Sequence, residues 1–321
     1  MSPIQHGLSL LALAILVTGQ AASQPYIPAD PYADPKHDPL NLLRYISNDA
    51  LVGVANALTM IVALSQLILA YKYRTWWLLI LPISIIIFSE GLAVRFILSH
   101  NPRSLAAFIA QSTLVVLSPC AFIAADYMLL GRLAKHLGQE RHMLILPSRI
   151  TKIFVLSDVT TFLVQGTGSG MSVVRNPTAR DLGSHVFFAG LLLQLISFTL
   201  FTAMFALWTY RVRTKDPHIW LQDRNKKWYR DWRSLAGALA ISCVGIIIRC
   251  IYRVAEGTQG YFGPLATTEW IFYTFDVLPL FIAVSVFVPF WPGRFLPAPK
   301  PLEQAEMDIL RRASPTGQTA V

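Results

Sequence analysis

Charge is scarce in this chain. Only 14% of its 321 residues are Asp, Glu, Lys or Arg, against about 25% in soluble domains. Hydrophobic residues make up 54% and the mean hydropathy is +0.48, which argues against any soluble fold and for an integral membrane protein. Cysteine is nearly missing: Cys120, Cys243 and Cys250 all lie in apolar runs, so no disulfide framework is indicated and small buried side chains are expected. No N-x-S/T acceptor exists, because Asn176-Pro177-Thr178 carries the excluded proline. The phosphate-binding pattern G-x-x-x-x-G-K-[ST] is missing, so the chain encodes no ATP-driven motor. H-E-x-x-H and G-x-S-x-G are missing too, and no catalytic constellation takes their place. His100, His136, His142, His185 and His218 are scattered without metal-ligand spacing, and His185 reads as an interfacial residue. Neither a metal nor a cofactor is expected, nor an enzyme. The last apolar run has no Lys, which removes a retinal Schiff base there.

What the chain does have is apolar runs of spanning length. Seven stretches, at about 48–70, 76–98, 105–130, 150–173, 183–209, 233–255 and 267–291, are each near the roughly 20 residues needed to cross the hydrocarbon core. All are expected to be helices, because lipid offers no partner for unpaired backbone groups. The fold class expected is an all-α membrane bundle of seven helices over 48–293. Before it, 7–17 is a short apolar run followed by Ala21-Ala22-Ser23, which suits a signal peptide over 1–23. The Pro- and Asp-rich segment 24–47 is expected to be exposed and irregular. A cytoplasmic tail, 294–321, follows, in which Leu302 to Ala313 is a candidate amphipathic helix.

Lys and Arg set the orientation. The first, third and fifth loops and the tail hold 17 of them, against 5 in the N-terminal segment and the other loops. That bias places the N-terminus outside and the C-terminus in the cytoplasm. The net charge of +9 therefore reflects loop placement, and no nucleic acid partner is expected. The fifth loop, Arg211 to Arg230, is the most basic, with Trp220, Trp228, Tyr229 and Trp232 around its end. It reads either as a patch for anionic lipid headgroups or as an ordinary aromatic belt with inside charge.

Within the spans lie Glu90, Glu256, Glu269 and Asp276 with Arg95, Arg249 and Arg253. A charge at the centre of a membrane helix costs roughly 2.5–3.5 kcal/mol on insertion scales, so charges kept there mark a substrate path or lock helices together. With the expected orientation, Glu90, Arg95, Gln111, Gln165, Arg249, Arg253, Glu256, Glu269 and Asp276 all fall towards the outer half. Arg249, Arg253 and Glu256 share one helix face, as do Glu269 and Asp276. Four carboxylates against three guanidiniums could leave negative charge for a cationic headgroup; an ion-pair network holding the bundle is the other reading. Asp126 and Asp158 are expected nearer the cytoplasm, paired with Arg132, Arg149 or Lys152. Gly166-Thr167-Gly168-Ser169-Gly170 lacks the strand–turn–helix setting of a dinucleotide loop, and the spacing of Gly166 and Gly170 favours close helix packing. Pro82, Pro119, Pro279 and Pro289 are candidate kink positions.

The polar positions sit in longer strings. Arg249-Cys250-Ile251-Tyr252-Arg253-Val254-Ala255-Glu256 runs on through Gly260 to Glu269-Trp270-Ile271-Phe272-Tyr273-Thr274-Phe275-Asp276. This resembles the R-x-x-[FY]-R-x-x-E … E-W-x-x-Y-x-F-D signature of the fungal RTA-type lipid-translocating exporters. Phe88-Ser89-Glu90-Gly91 with Arg95, Ser118-Pro119 through Tyr127 to Arg132, Thr151-Lys152-Ile153-Phe154 with Asp158, Gln165-Gly166, and Gly190-Leu191 with Gln194 and Phe198 match as well, so the resemblance covers about 45–293. The chain departs from the family at Tyr26-Ile27-Pro28, which lies upstream of the usual place, and at Trp291-Pro292-Gly293, where the family often has His-Pro-Gly. The resemblance implies a seven-helix plasma-membrane protein that exports or translocates amphiphiles such as sphingoid long-chain bases, or confers resistance to toxic ones.

Membrane lipids and a cationic amphiphile are thus the expected partners. In that reading the carboxylates receive the ammonium, and the arginines hold them in place or meet a phosphate. The alternative is a seven-helix lipid-sensing receptor or regulator of membrane lipid asymmetry.

Overall fold

The computed structural model describes residues 28–296 except positions 29, 39, 42, 173–176, 222–230 and 260–262. The expected signal peptide, the amphipathic tail helix, Gly260, Trp228 and Tyr229 lie outside the described residues. The described residues form helices, turns and irregular segments, with no strand among them.

Nine α-helices are described: α1 (Asp49–Lys72), α2 (Ile80–His100), α3 (Leu105–His136), α4 (Pro147–Ser172), α5 (Pro177–Lys215), the short α6 (Pro217–Leu221), α7 (Trp232–Gln259), α8 (Glu269–Phe272) and α9 (Leu278–Ser285). A π turn, Tyr273–Val277, joins α8 to α9. The long helices follow the expected spans closely. Each packs on the next in the order α1, α2, α3, α4, α5, α7, α9, and α9 returns to α1, closing a ring; α3 also touches α7 across it. The chain is an all-α, multi-pass membrane bundle. Five stretches are long and apolar enough to span: Asp49–Lys72, Trp76–His100, Leu105–His136, Asp181–Lys215 and Trp232–Gln259. The other two expected spans complete the ring but differ in kind. α4 has the length yet is rich in Ser, Thr and Gly, and the last span is interrupted by its π turn.

α1 shows how the sequence sorts its faces. Leu51, Val54, Leu58, Ile61, Leu64 and Ile68 recur at three- and four-residue spacing and are all exposed, an apolar stripe suited to lipid. The opposite face buries Val52, Thr59, Val62, Ala63, Gln66 and Ala70. Gln66 Nε2 donates to the Val284 carbonyl at 2.8 Å, and Asn56 Nδ2 to the Ser89 carbonyl at 2.7 Å. The helix starts at Asn48, whose side chain accepts from Ala50 and Leu51 N–H. In the middle of the bundle Tyr127 meets Phe154, Phe198 and Phe201, with ring centroids 4.5 Å apart in the closest pair.

Several expectations give way to packing. Gly166 and Gly170 face open space. It is Gly168 whose missing Cβ admits the Phe187 backbone of α5. Asp126 and Asp158 pair with no basic residue among those described: Ser242 Oγ donates to Asp126 at 2.7 Å and Tyr127 Oη to Asp158 at 2.9 Å. Arg132 instead lies 4.1 Å over the Trp77 ring. Trp232 is buried against Trp220 and Trp208, so it serves the core and not a belt at the lipid surface. The segment before α1 is irregular, as its prolines require, but it is not simply exposed. Asp38 is fully buried and paired with Arg103 at 2.8 Å, and Tyr32 Oη donates to the His100 carbonyl at 2.7 Å. Pro82 falls in the first turn of α2 and Pro119 inside α3.

Candidate functional site

The site is built around Asp276, which the π turn presents to α7. Pro279 follows three residues later and lacks the N–H that an α-helix would supply to residue 275. The wider turn occurs at that break. π turns of this kind recur at functional sites. α7 comes close because Gly245 has no side chain; a Cβ there would lie 2.5 Å from the Pro279 carbonyl oxygen. Arg249 and Arg253, one turn apart, therefore both reach the carboxylate. Arg249 Nε stands 2.8 Å from Oδ1, and Arg253 donates through Nε at 3.0 Å and Nη2 at 2.6 Å. Asp276 has no solvent exposure. Arg253 spends Nη1 on Glu256 at 2.9 Å, and Arg249 Nη2 donates to the Val115 carbonyl of α3 at 2.8 Å. The Asp276 carboxylate thus joins the π turn to α7, and Arg249 joins α7 to α3.

Above this network is a cavity of about 200 Å³. Tyr45, Arg95, Gln111, Gln165, Arg253 and Glu256 are among its polar lining residues. Leu43, Phe108, Ile109, Val116, Phe162 and Phe187 are prominent in its apolar wall. These residues come from the segment before α1, the end of α2, the start of α3, the end of α4, the start of α5 and the end of α7, so the cavity sits at one end of the bundle. By the Lys and Arg bias that is the end expected outside.

Five expected site residues, Arg95, Gln111, Gln165, Arg253 and Glu256, line the cavity. Arg249 and Asp276 lie beneath it in the ion-pair network. Glu269 turns away: its Oε1 accepts the Asn48 N–H at 2.9 Å, fixing the start of α1. Glu90 is exposed on α2 and does not line the cavity. Five residues at 100° each put Glu90 about 140° around the helix from Arg95, so the two cannot share a face. The surplus of carboxylates expected at the site is consequently not at the cavity, whose charged lining is two arginines and one glutamate.

Arg95 is 2% exposed. Its guanidinium carbon lies 3.7 Å from the Phe272 ring centroid, 5.6 Å from Tyr273 and 5.9 Å from Tyr45. Gln165 Nε2 donates to Gln194 Oε1 at 2.9 Å. The sequence does not single out Tyr45 and the aromatic wall. Nothing in their spacing separates them from ordinary apolar positions, and Tyr45 precedes the first span.

Comparison with known proteins places these features. Protein RTA1 of Saccharomyces cerevisiae is 34% identical over 203 residues, covering 63% of this chain and 61% of that protein. Protoporphyrin uptake protein 1 of the same yeast is 29% identical over 198 residues, 61% of this chain and 62% of the relative. Sphingoid long-chain base transporter RSB1, also from that yeast, is 27% identical over 226 residues, 61% and 59% of the two chains. The chain spans about three fifths of the length of the curated relatives it matches. No solved structure matches it. The family described as "RTA1 like protein" matches residues 81–299, a stretch that contains all but the first residue of α2, then α3 through α9 with the whole Asp276 network, and the chain belongs to that family.

Proposed function

We propose that this protein moves amphiphilic lipids between the leaflets of the plasma membrane, without an ATP site of its own and without chemistry on the lipid. The observation that carries the reading is the cavity: charged and amide side chains share one space with Phe108, Ile109, Phe162 and Phe187, at the end of a bundle whose α1 flank is apolar. A headgroup would meet the polar side chains while the hydrocarbon chain stays against Phe108, Ile109, Phe162 and Phe187. That division suits an amphiphile and no wholly polar solute. The names of two relatives, a sphingoid long-chain base transporter and a protoporphyrin uptake protein, support a lipid-like cargo. A sphingoid long-chain base would find one carboxylate for its ammonium, Glu256, and two amides, Gln111 and Gln165, for its hydroxyls. Arg95 and Arg253 would frame that headgroup. The Asp276 network, buried below, would hold α7 and the last span in place. In this orientation the cavity faces the exoplasmic side and the basic loops face the cytoplasm.

Reconstitution tests the reading. Purified full chain is placed in liposomes, and a fluorescent long-chain base is followed from one leaflet to the other beside protein-free vesicles. Movement clearly above leak is the expected result. Movement at the leak rate, with the protein shown folded, would contradict translocation and turn attention to a lipid-sensing receptor.

A further inference from the structure

The orphaned hydrogens of Arg95 carry one step more. Arg95 Nε and Nη1 are buried and have no hydrogen-bond partner among the described residues. The hydroxyls of Tyr45 and Tyr273 stand beside the same guanidinium, but they bring no charge, and the buried Tyr273 hydroxyl makes no well-formed hydrogen bond among the described residues. Aromatic faces can meet the flat side of a guanidinium and soften its charge. They cannot accept the N–H groups that point outward in its plane. Leaving such donors unmet away from water is costly, more so for a charged group.

No carboxylate of the cluster meets that need. Asp276 is held by Arg249 and Arg253, Glu256 by Arg253, and Glu269 accepts the Asn48 N–H. Asp276 lies near enough to feel the Arg95 charge, but its oxygens are taken, so a direct anionic partner for Arg95 is left to come from the cavity it lines. Elsewhere in the lining of that cavity the need is reversed: Gln111 Oε1 and Gln165 Oε1 are buried acceptors without donors among the described residues.

We infer that Arg95 anchors an anionic oxygen group, a phosphate or a carboxylate, on the headgroup of an amphiphile, while hydroxyl or ammonium donors of the same headgroup meet Gln111, Gln165 and Glu256. A planar fork of N–H donors matches such an oxyanion in its own plane. The apolar wall assigns the anion to a lipid and not to free phosphate. The inference deepens the translocation reading and rests on it: it names an acidic or zwitterionic headgroup where the bare long-chain amine leaves Arg95 unmet.

The test is displacement of a pyrene-labelled fatty alcohol from the full chain in detergent. The competitors are hexadecyl phosphate, hexadecylamine and inorganic phosphate. Hexadecyl phosphate should act at a concentration about tenfold below that of the amine, the change expected from one charge-assisted hydrogen bond. Inorganic phosphate should not displace the probe. R95Q should erase the preference for the phosphate lipid, and R95K, which keeps the charge but loses the fork, should reduce it. If R95Q does not fold, the competitor order in the wild type and its reduction in R95K decide. An amine that competes as well as the phosphate lipid, a preference intact in R95K or R95Q, or displacement by inorganic phosphate overturns the inference. Leaflet-to-leaflet movement of the labelled alcohol in liposomes is measured in parallel. If it persists while the phosphate preference fails, only the headgroup assignment falls; if it is also at leak, the translocation reading falls with it.

Discussion

Asp276 and Arg253 meet through two hydrogen bonds, Nε to Oδ1 at 3.0 Å and Nη2 to Oδ2 at 2.6 Å, with the carboxylate wholly shielded from solvent. Because Arg249 shares the same carboxylate, removing it would strand two buried guanidiniums. Asp276→Ala is expected to destabilise the protein by about 3–5 kcal/mol, the cost of breaking a buried pair from one side. The check is the temperature at which the monodisperse fraction in detergent is lost, which should fall well below that of the wild type. A variant as stable as the wild type would show that the network is not what holds α7 to the last span.

Close packing of α4 on α5 depends on Gly168. A Cβ there would run into the Phe187 backbone and the Gly183 carbonyl oxygen. Gly168→Leu should therefore cost about 1–3 kcal/mol through overpacking. Gly170→Leu, where a Cβ meets nothing within 4 Å, should leave thermal stability unchanged or slightly raised, since Gly is the poorer helix former. Equal loss in both variants would contradict the packing assignment.

How much of this was legible beforehand differs from residue to residue. Spacing alone places Arg249, Arg253 and Glu256 on one face, and the structure puts them there. Depth alone groups Glu90 with Arg95, but depth ignores the angle around the helix, and the angle separates them. The two outer glycines of Gly166 to Gly170 fit a small-residue spacing rule, yet the close contact falls on the middle one. Which face of α4 meets α5 is set by the whole ring of helices and not by the motif. The pairing of Asp126 with Ser242 joins positions far apart in the chain, and no local pattern announces it. Tyr45 enters the cavity only because the irregular segment before α1 is tied down by Asp38, Asn41 and Glu269.

Asp126 supplies the acceptor for the Ser242 hydroxyl, at 2.7 Å. Asp126→Asn keeps one, so its stability should stay within about 1 kcal/mol of the wild type. Asp126→Leu, which offers no acceptor, should lower the midpoint of thermal unfolding. If the Asn variant is as damaged as the Leu variant, Asp126 has a further partner that the fold has not revealed.

At the opposite end of the bundle from the cavity, Asp216 ties two loops together. Hydrogen bonds from Arg141, at 2.7 and 2.8 Å, and contact with His142 at 2.6 Å hold its carboxyl below the usual carboxylate range. A lowered folded-state pKa means that the contribution is present above the unfolded value, about 3.9, and is lost as pH falls through the folded value. Thermal stability in detergent should therefore drop on acidification below about pH 5 more steeply in the wild type than in Asp216→Asn. Parallel curves for the two proteins would remove Asp216 from the account.

The cavity itself can be blocked without touching a charge. Gly166 lines it, and a Cβ added there meets nothing within 4 Å, so Gly166→Trp should fill the space while the fold is kept. Gly170→Trp is the matched control, one helical turn further along and outside the lining. The decisive measurement is movement of a fluorescent long-chain base across liposome leaflets with wild type, Gly166→Trp and Gly170→Trp, each shown to be folded and inserted. Movement well above leak in the wild type and in Gly170→Trp, reduced to leak in Gly166→Trp, is the predicted result. Gly166→Trp moving the lipid as fast as the wild type would contradict the claim that the cavity is the route.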